Sequence, residues 1–121
     1  MKIATRLSLL AAAALLAGAA HADSVTKKDG ILVNAAGMTV YTFDKDAAGS
    51  GTSACNGPCS ENWPAVAPAA SVAAPYSAIT REDGAKQLAY KGKPLYLFKK
   101  DLKPGDRNGD NFKDIWHVVK D

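Results

Sequence analysis

Short apolar runs separated by polar turns make up most of residues 23–121. The first two runs are Ile31–Val33 and Val40–Phe43, and the spacer Asn34–Gly37 between them predicts a hairpin. Further strands are predicted over 77–82, 87–90, 95–98 and 115–119, where β-branched, aromatic and aliphatic side chains cluster. No segment has a helical periodicity long enough to compete. The pattern predicts a small, mostly antiparallel all-β domain of about six to eight short strands.

One order of residues occurs twice, with the second copy about 55 residues after the first. A Tyr-x-Phe-x-x-Asp motif is followed each time by a loop and a tryptophan. The residues are Tyr41, Phe43, Asp46 and Trp63 in the first copy and Tyr96, Phe98, Asp101 and Trp116 in the second. We predict two repeats, about 27–66 and 77–121, joined by an Ala- and Pro-rich connection. Because each repeat is too small to bury a stable core alone, both should share one domain at 23–121.

Residues 1–22 have the features of a secretory signal peptide. Lys2 and Arg6 precede an apolar run too short to span a bilayer, and Ala20-His21-Ala22 predicts cleavage before Asp23. The signal ends without a lipid-anchor cysteine, so neither an anchor nor a transmembrane span is predicted. Export to the periplasm is the expected location.

Cleavage would leave a chain of net charge near +1, because the signal removes two basic residues and no acidic one. A nucleic-acid binder needs a basic patch, so this class is disfavoured. His117 is the one histidine outside the signal, so it is the only possible imidazole base. No Gly-x-Ser-x-Gly motif, phosphate loop or dinucleotide fingerprint occurs, and we expect no enzymatic activity.

Cys55-Asn-Gly-Pro-Cys59 is the most specific local motif. In an oxidising compartment, cysteines this close in sequence are expected to form a disulfide. Two alternatives stay open. Reduced Cys55 and Cys59, with or without His117, would offer soft ligands to copper. A thiol–disulfide redox pair is the weaker alternative, because no cation or helix terminus that would activate a thiolate is evident.

The matching loop of the second copy is rich in Asp and Asn instead of Cys. Asp106, Asn108, Asp110 and Asp114 have the spacing of calcium-loop ligands, but the position of the final glutamate is occupied by His117. A weak, partly hydrated calcium site is one interpretation, and a polar turn is the commoner one. No other cofactor is indicated.

The aromatic motif residues are expected to pack in the core, the alternative being an exposed docking patch. His117 lies on the same strand face as Ile115 and Val119 and is expected to be half-buried and hydrogen-bonded.

Together these motifs resemble the bacterial secreted-repeat family, often described as predicted lipoproteins with a Y-x-[FWY]-x-x-D motif. The resemblance extends to the Cys-x-Gly-x-Cys loop before Trp63-Pro64, to Pro104-Gly-Asp106 and to the closing Trp116–Val119. It implies an exported, β-rich, two-repeat envelope protein, and brings no established reaction or catalytic residues. Many relatives have a lipid-anchor cysteine, which this chain lacks.

The first functional hypothesis is therefore a small periplasmic binding or interaction module without catalysis, whose partner is an envelope protein or a small ligand. Copper handling through Cys55 and Cys59 is the second hypothesis, and thiol–disulfide exchange the third.

Overall fold

The computed structural model describes residues 25–120. The predicted signal peptide and its cleavage site lie outside these residues. Seven short strands occur in the described part of the chain, all paired antiparallel, so the predicted all-β class is confirmed. The strands are β1 (Val25–Lys28), β2 (Ile31–Asn34), β3 (Tyr41–Phe43), β4 (Tyr76–Thr80), β5 (Lys86–Tyr90), β6 (Lys93–Pro94) and β7 (Trp116–Val118).

Two short helical segments lie in the loops before the tryptophans. Helix α1 (Pro58–Asn62) begins at a proline, whose fixed φ and missing N–H suit the first helical position. A 3-10 turn (Phe112–Asp114) occupies the corresponding place in the second repeat. Both are too short for a periodic sequence pattern to predict them.

The strands form three small sheets, β1–β2, β3–β7 and β4–β5–β6. The sheet β3–β7 joins the two ends of the domain, since it pairs Phe43 with Trp116 and Tyr41 with Val118. The predicted hairpin between β2 and β3 forms only in part. Asn34 and Met38 close its turn, but the main partners are β1 for β2 and β7 for β3.

The two repeats make reciprocal backbone hydrogen bonds where Tyr41 meets Tyr96. These residues exchange both backbone hydrogen bonds, with N···O distances of 2.8 and 2.9 Å. Other backbone bonds repeat in the same way. Leu32 donates to Val119 as Leu88 donates to Val66.

The predicted strand at 95–98 is not a regular strand. It makes isolated bridges through Tyr96, and the backbone N–H of Leu97 donates to Pro64. The residue corresponding to Pro64 in the other repeat is His117, which has an N–H and pairs with Thr42 in the regular β3–β7 ladder. Proline cannot donate to a ladder, so the second copy is interrupted where the first is continuous.

The core has two parts, on opposite faces of the short strands. Leu32 packs in one part while its neighbours Ile31 and Val33 pack in the other. The first part contains the aromatic motif residues of both repeats, together with Cys55. The repeats therefore share a core.

Candidate ligand-binding cleft

The four apolar motif rings form one continuous stack at the interface of the repeats. Trp63 and Trp116 lie face to face, with centroids 3.7 Å apart and planes 2° from parallel. Phe43 stacks on Trp116 and Phe98 stacks on Trp63, each at 4.1 Å. Rings of the two repeats alternate along the stack. All four side chains are buried, in agreement with the expectation that they pack in the core.

The motif tyrosines and aspartates are paired across the repeats. The Tyr41 hydroxyl donates to Asp101 Oδ2 and the Tyr96 hydroxyl donates to Asp46 Oδ2, both at 2.6 Å. All four side chains are buried. Burial, followed by the hydrogen bond to the carboxylate, raises the pKa of both tyrosines well above its usual value. Each motif thus supplies a donor and an acceptor to the other motif.

The same carboxylates hold the two loops that precede the tryptophans. Asp46 Oδ1 accepts the backbone N–H of Ala54 at 2.6 Å, and Asp101 Oδ1 accepts that of Asn108 at 2.9 Å. The backbone N–H of Gly109 donates to the Tyr41 hydroxyl at 3.1 Å. The buried network therefore fixes the starting points of both loops.

Gly109 lies against the aromatic stack. A Cβ at this position would lie 2.7 Å from Trp63 Cη2 and 3.0 Å from Tyr41 Cε2, below normal contact distance. Only a residue without a side chain lets the second loop pass this close to the rings. In the sequence Gly109 looks like an ordinary turn glycine, so its packing against the rings could not be predicted.

A buried arginine supports the first loop. Arg81 donates to the Cys55 carbonyl at 2.5 Å, to Ser53 Oγ at 3.1 Å and to Gln87 Oε1 at 2.6 Å. Because Tyr96 donates to Asp46, Ser53 Oγ donates to Tyr96 and accepts from Arg81, so this hydroxyl links the buried cation to the carboxylate network. Arg81 belongs to the second repeat and supports the loop of the first. Within residues 25–120 no buried arginine supports the loop of the second repeat, and no sequence motif indicates this contact.

The cysteines are joined as a Cys55–Cys59 disulfide. Cys55 is fully buried, whereas Cys59 is half-buried beside the aromatic stack. The bridge spans the start of helix α1 and so fixes the segment just before Trp63. A redox role for this pair stays a prediction.

The candidate copper and calcium ligands are not gathered into a site. His117 Nε2 donates to Asp44 Oδ2 at 2.9 Å, and His117 Nδ1 lies 3.1 Å from Asn111 Oδ1. The ring is half-buried as expected. Among residues 25–120, no group of three or more His, Cys, Asp or Glu side chains is placed to hold a metal ion.

The calcium candidates each have separate structural contacts. Asp106 accepts the backbone N–H groups of Leu102 and Lys103, and the first of these bonds is the main cause that lowers its pKa. Asp110 Oδ1 accepts the backbone N–H of Val118, and the Asn108 amide donates to the Lys100 carbonyl. Asp114 ends the 3-10 turn. The contacts of Asp106, Asn108 and Asp110 are those of a polar turn, because each side chain bonds to backbone groups.

Between the two loops, the stack borders a cleft of about 320 Å³. Four pairs of corresponding residues form its walls: Phe43 with Phe98, Trp63 with Trp116, Cys59 with Phe112, and Asn62 with Ile115. Both faces of each tryptophan ring are covered by stacked neighbours, so the tryptophans present ring edges to the cleft. Lys100 and Lys113 complete the walls.

The structure is a small β domain of two similar repeats, with this cleft between them. The chain belongs to a family described as a secreted repeat of unknown function, whose profile matches residues 23–67 and 77–120. This confirms the resemblance deduced from the two motifs, and the family description agrees with export. Comparison with curated proteins and with solved structures gave no significant match. None of the helices in residues 25–120 has the length and apolar character needed to cross a membrane.

Proposed function

We propose that this secreted-repeat protein is a non-catalytic binding module of the periplasm, and that a small molecule with an apolar body binds in the cleft between the repeats. The observation that carries the proposal is the cleft itself, whose walls are built from corresponding residues of both copies. Its volume, about 320 Å³, lies at the lower end of the range for small-molecule sites, about 300–1,000 Å³.

The composition of the walls supports the same assignment. Small-molecule sites combine an apolar and aromatic lining with a few polar groups that orient the ligand. Here six of the ten lining residues are phenylalanine, tryptophan or isoleucine, and Asn62 and two lysines supply the polar groups.

Rigid support of the walls also favours binding. Both loops are held by the crossed tyrosine–aspartate pairs, and the second loop also by Gly109. The loop of the first repeat is held in addition by the disulfide and by Arg81 of the second repeat. A preformed site loses little conformational entropy when a ligand binds, which improves affinity.

The test uses N-phenyl-1-naphthylamine, a neutral aromatic probe whose fluorescence rises in an apolar site. We expect saturable binding of one probe per chain. Asn62→Trp places a bulky side chain in the cleft and should abolish most of this signal. Ala78→Trp, on the exposed face of β4, is the matched control and should bind like the unmodified protein. Equal binding by the two variants, or no saturable binding at all, would overturn the proposal.

A further inference from the structure

The walls of the cleft are symmetric in their rings but asymmetric in their charge. The aromatic and apolar lining comes in corresponding pairs from both repeats, whereas Lys100 and Lys113 both belong to the second repeat. The residue corresponding to Lys100 is Lys45, which is exposed and lies outside the cleft, and the residue corresponding to Lys113 is Ser60. Both positive charges are thus supplied by one repeat of an otherwise paired site.

These two ammonium groups are not neutralised by the protein. No aspartate or glutamate lines the cleft, and within residues 25–120 neither lysine forms an ion pair with a carboxylate. Lys113 Nζ lies 5.6 Å from the centroid of the Phe112 ring, which is itself part of the wall. This contact keeps the charge beside the cleft.

The tryptophans add a second feature that suits an anion. The edge of an aromatic ring is the positive part of its quadrupole. Both tryptophans present their ring edges to the cleft, which favours a negatively charged ligand. Within residues 25–120 neither indole N–H has an acceptor on the protein, although both rings are more than nine-tenths buried. Buried N–H groups are nearly always paired, so donors on rings that line a cleft favour an acceptor in the ligand.

The backbone around Lys113 is also unusual. Asn111, Lys113 and Asp114 all have positive φ, with Lys113 at 51°. Asparagine and aspartate tolerate this region better than lysine does, and such conformations are common at functional sites. The strained backbone holds Lys113 where its side chain lines the cleft.

From these observations we infer that the ligand is an apolar anion, an aryl carboxylate or a molecule of similar chemistry, whose charged group is received by Lys100 and Lys113. Its apolar body lies along the ring edges, and its charge points toward the two lysines of the second repeat. This inference rests on the proposed function, since it assigns the chemistry of the ligand in the same cleft.

A smaller cleft elsewhere in the domain does not share this character. It measures about 120 Å³, and Asp29 lies in its wall beside Lys28 and Arg107. Its charges are therefore mixed, and its volume is below the range of small-molecule sites, about 300–1,000 Å³.

The experiment compares two probes that differ in one charged group: 8-anilinonaphthalene-1-sulfonate and the neutral N-phenyl-1-naphthylamine. We expect the sulfonate to bind about tenfold more tightly, because two partly exposed charge contacts together contribute about 1–2 kcal/mol. The preference should shrink as salt is added, since exposed charges are screened.

Two double variants locate the charge. Lys100→Gln with Lys113→Gln should remove the preference for the sulfonate, so that the ratio of the two probe affinities falls from about ten to near one. Lys45→Gln with Lys99→Gln removes the same net charge from exposed positions outside the cleft, and should keep the preference.

The outcomes separate this inference from the proposed function. If both probes bind equally, or if the two double variants lose the preference alike, the anion inference is wrong while the cleft remains a binding site. If neither probe binds, the proposed function fails and the inference fails with it.

Discussion

The crossed tyrosine–aspartate pairs make a prediction that the motif spacing alone would not make. Tyr41 should be energetically coupled to Asp101 of the other repeat, and not to Asp46 of its own motif. The reason is geometric, because the Tyr41 hydroxyl donates to Asp101 and accepts from the backbone N–H of Gly109. Asp46 instead accepts from Tyr96 and Ala54.

The loss of stability expected for Tyr41→Phe can be worked out from the two buried groups that lose a hydrogen-bond partner. Asp101 is only 6% exposed, so its Oδ2 loses a short hydrogen bond without gaining water, and the buried N–H of Gly109 loses its acceptor. Hydrogen bonds to charged groups contribute about 1.5–3 kcal/mol, and unpaired buried groups cost as much, so we expect Tyr41→Phe to lower the free energy of unfolding by about 2–3 kcal/mol. For a domain of this size the melting temperature should fall by about 10–20 °C.

A double-mutant cycle isolates the pair. Tyr41→Phe and Asp101→Ala are combined, and unfolding by urea is followed by circular dichroism. The coupling energy should be about 1–2 kcal/mol for Tyr41 with Asp101, and the same for Tyr96 with Asp46. The matched control is the cycle of Tyr41→Phe with Asp46→Ala, which should be additive within about 0.5 kcal/mol. Equal coupling in the crossed and the same-motif cycles would refute the crossed arrangement.

Three further predictions concern the same core. Gly109→Ala should destabilise the domain by about 1–3 kcal/mol in urea unfolding, since its Cβ would overlap Trp63; unchanged stability would mean that the loop passes elsewhere. Replacing both Cys55 and Cys59 by alanine should lower the free energy of unfolding by about 2 kcal/mol, as expected for a short closed loop. A much larger loss of stability would contradict this. Burial, and then the carboxylate bond, raises the pKa of Tyr96, so the unfolded chain releases this proton first, and stability present below about pH 10 should fall as pH rises beyond it. Tyr96→Phe should show a smaller alkaline loss in urea unfolding than the unmodified protein, and an equal loss would contradict the assignment.

The sequence predicts the parts of this domain that depend on local pattern. Alternating apolar runs and turn residues indicate the β class, and the repeated motif indicates duplication, because both signals lie within one short segment. The half-buried state of His117 and the pairing of the two cysteines also follow from neighbours in sequence. These expectations agree with the structure.

Contacts between the two repeats cannot be predicted from local sequence pattern. The spacing of Tyr41 and Asp46 looks like a local unit, whereas each binds the partner motif, and this depends on how the two copies dock. The cleft has the same origin, since its walls come from loops about 50 residues apart. Phe112 and Lys113 lie in a loop without periodicity and carry no signal of their position.

Proline explains why the two copies differ in regularity. Strand prediction treats 40–43 and 95–98 alike, because their apolar patterns match. The difference lies in the segment opposite, where Pro64 stands in place of His117 and cannot donate to the ladder. A residue outside the predicted strand therefore decides whether the strand is regular.

The cleft between the repeats is the proposed ligand site, and the two tryptophans that line it report on binding directly. Trp63 and Trp116 are the only tryptophans in the chain, so a ¹⁵N-labelled sample gives two indole N–H signals in an NMR correlation spectrum. Titration with 8-anilinonaphthalene-1-sulfonate should shift both signals saturably, together with the backbone signals of Lys100 and Lys113. Shifts confined to other parts of the domain, with both indole signals unmoved at saturation, would contradict the account.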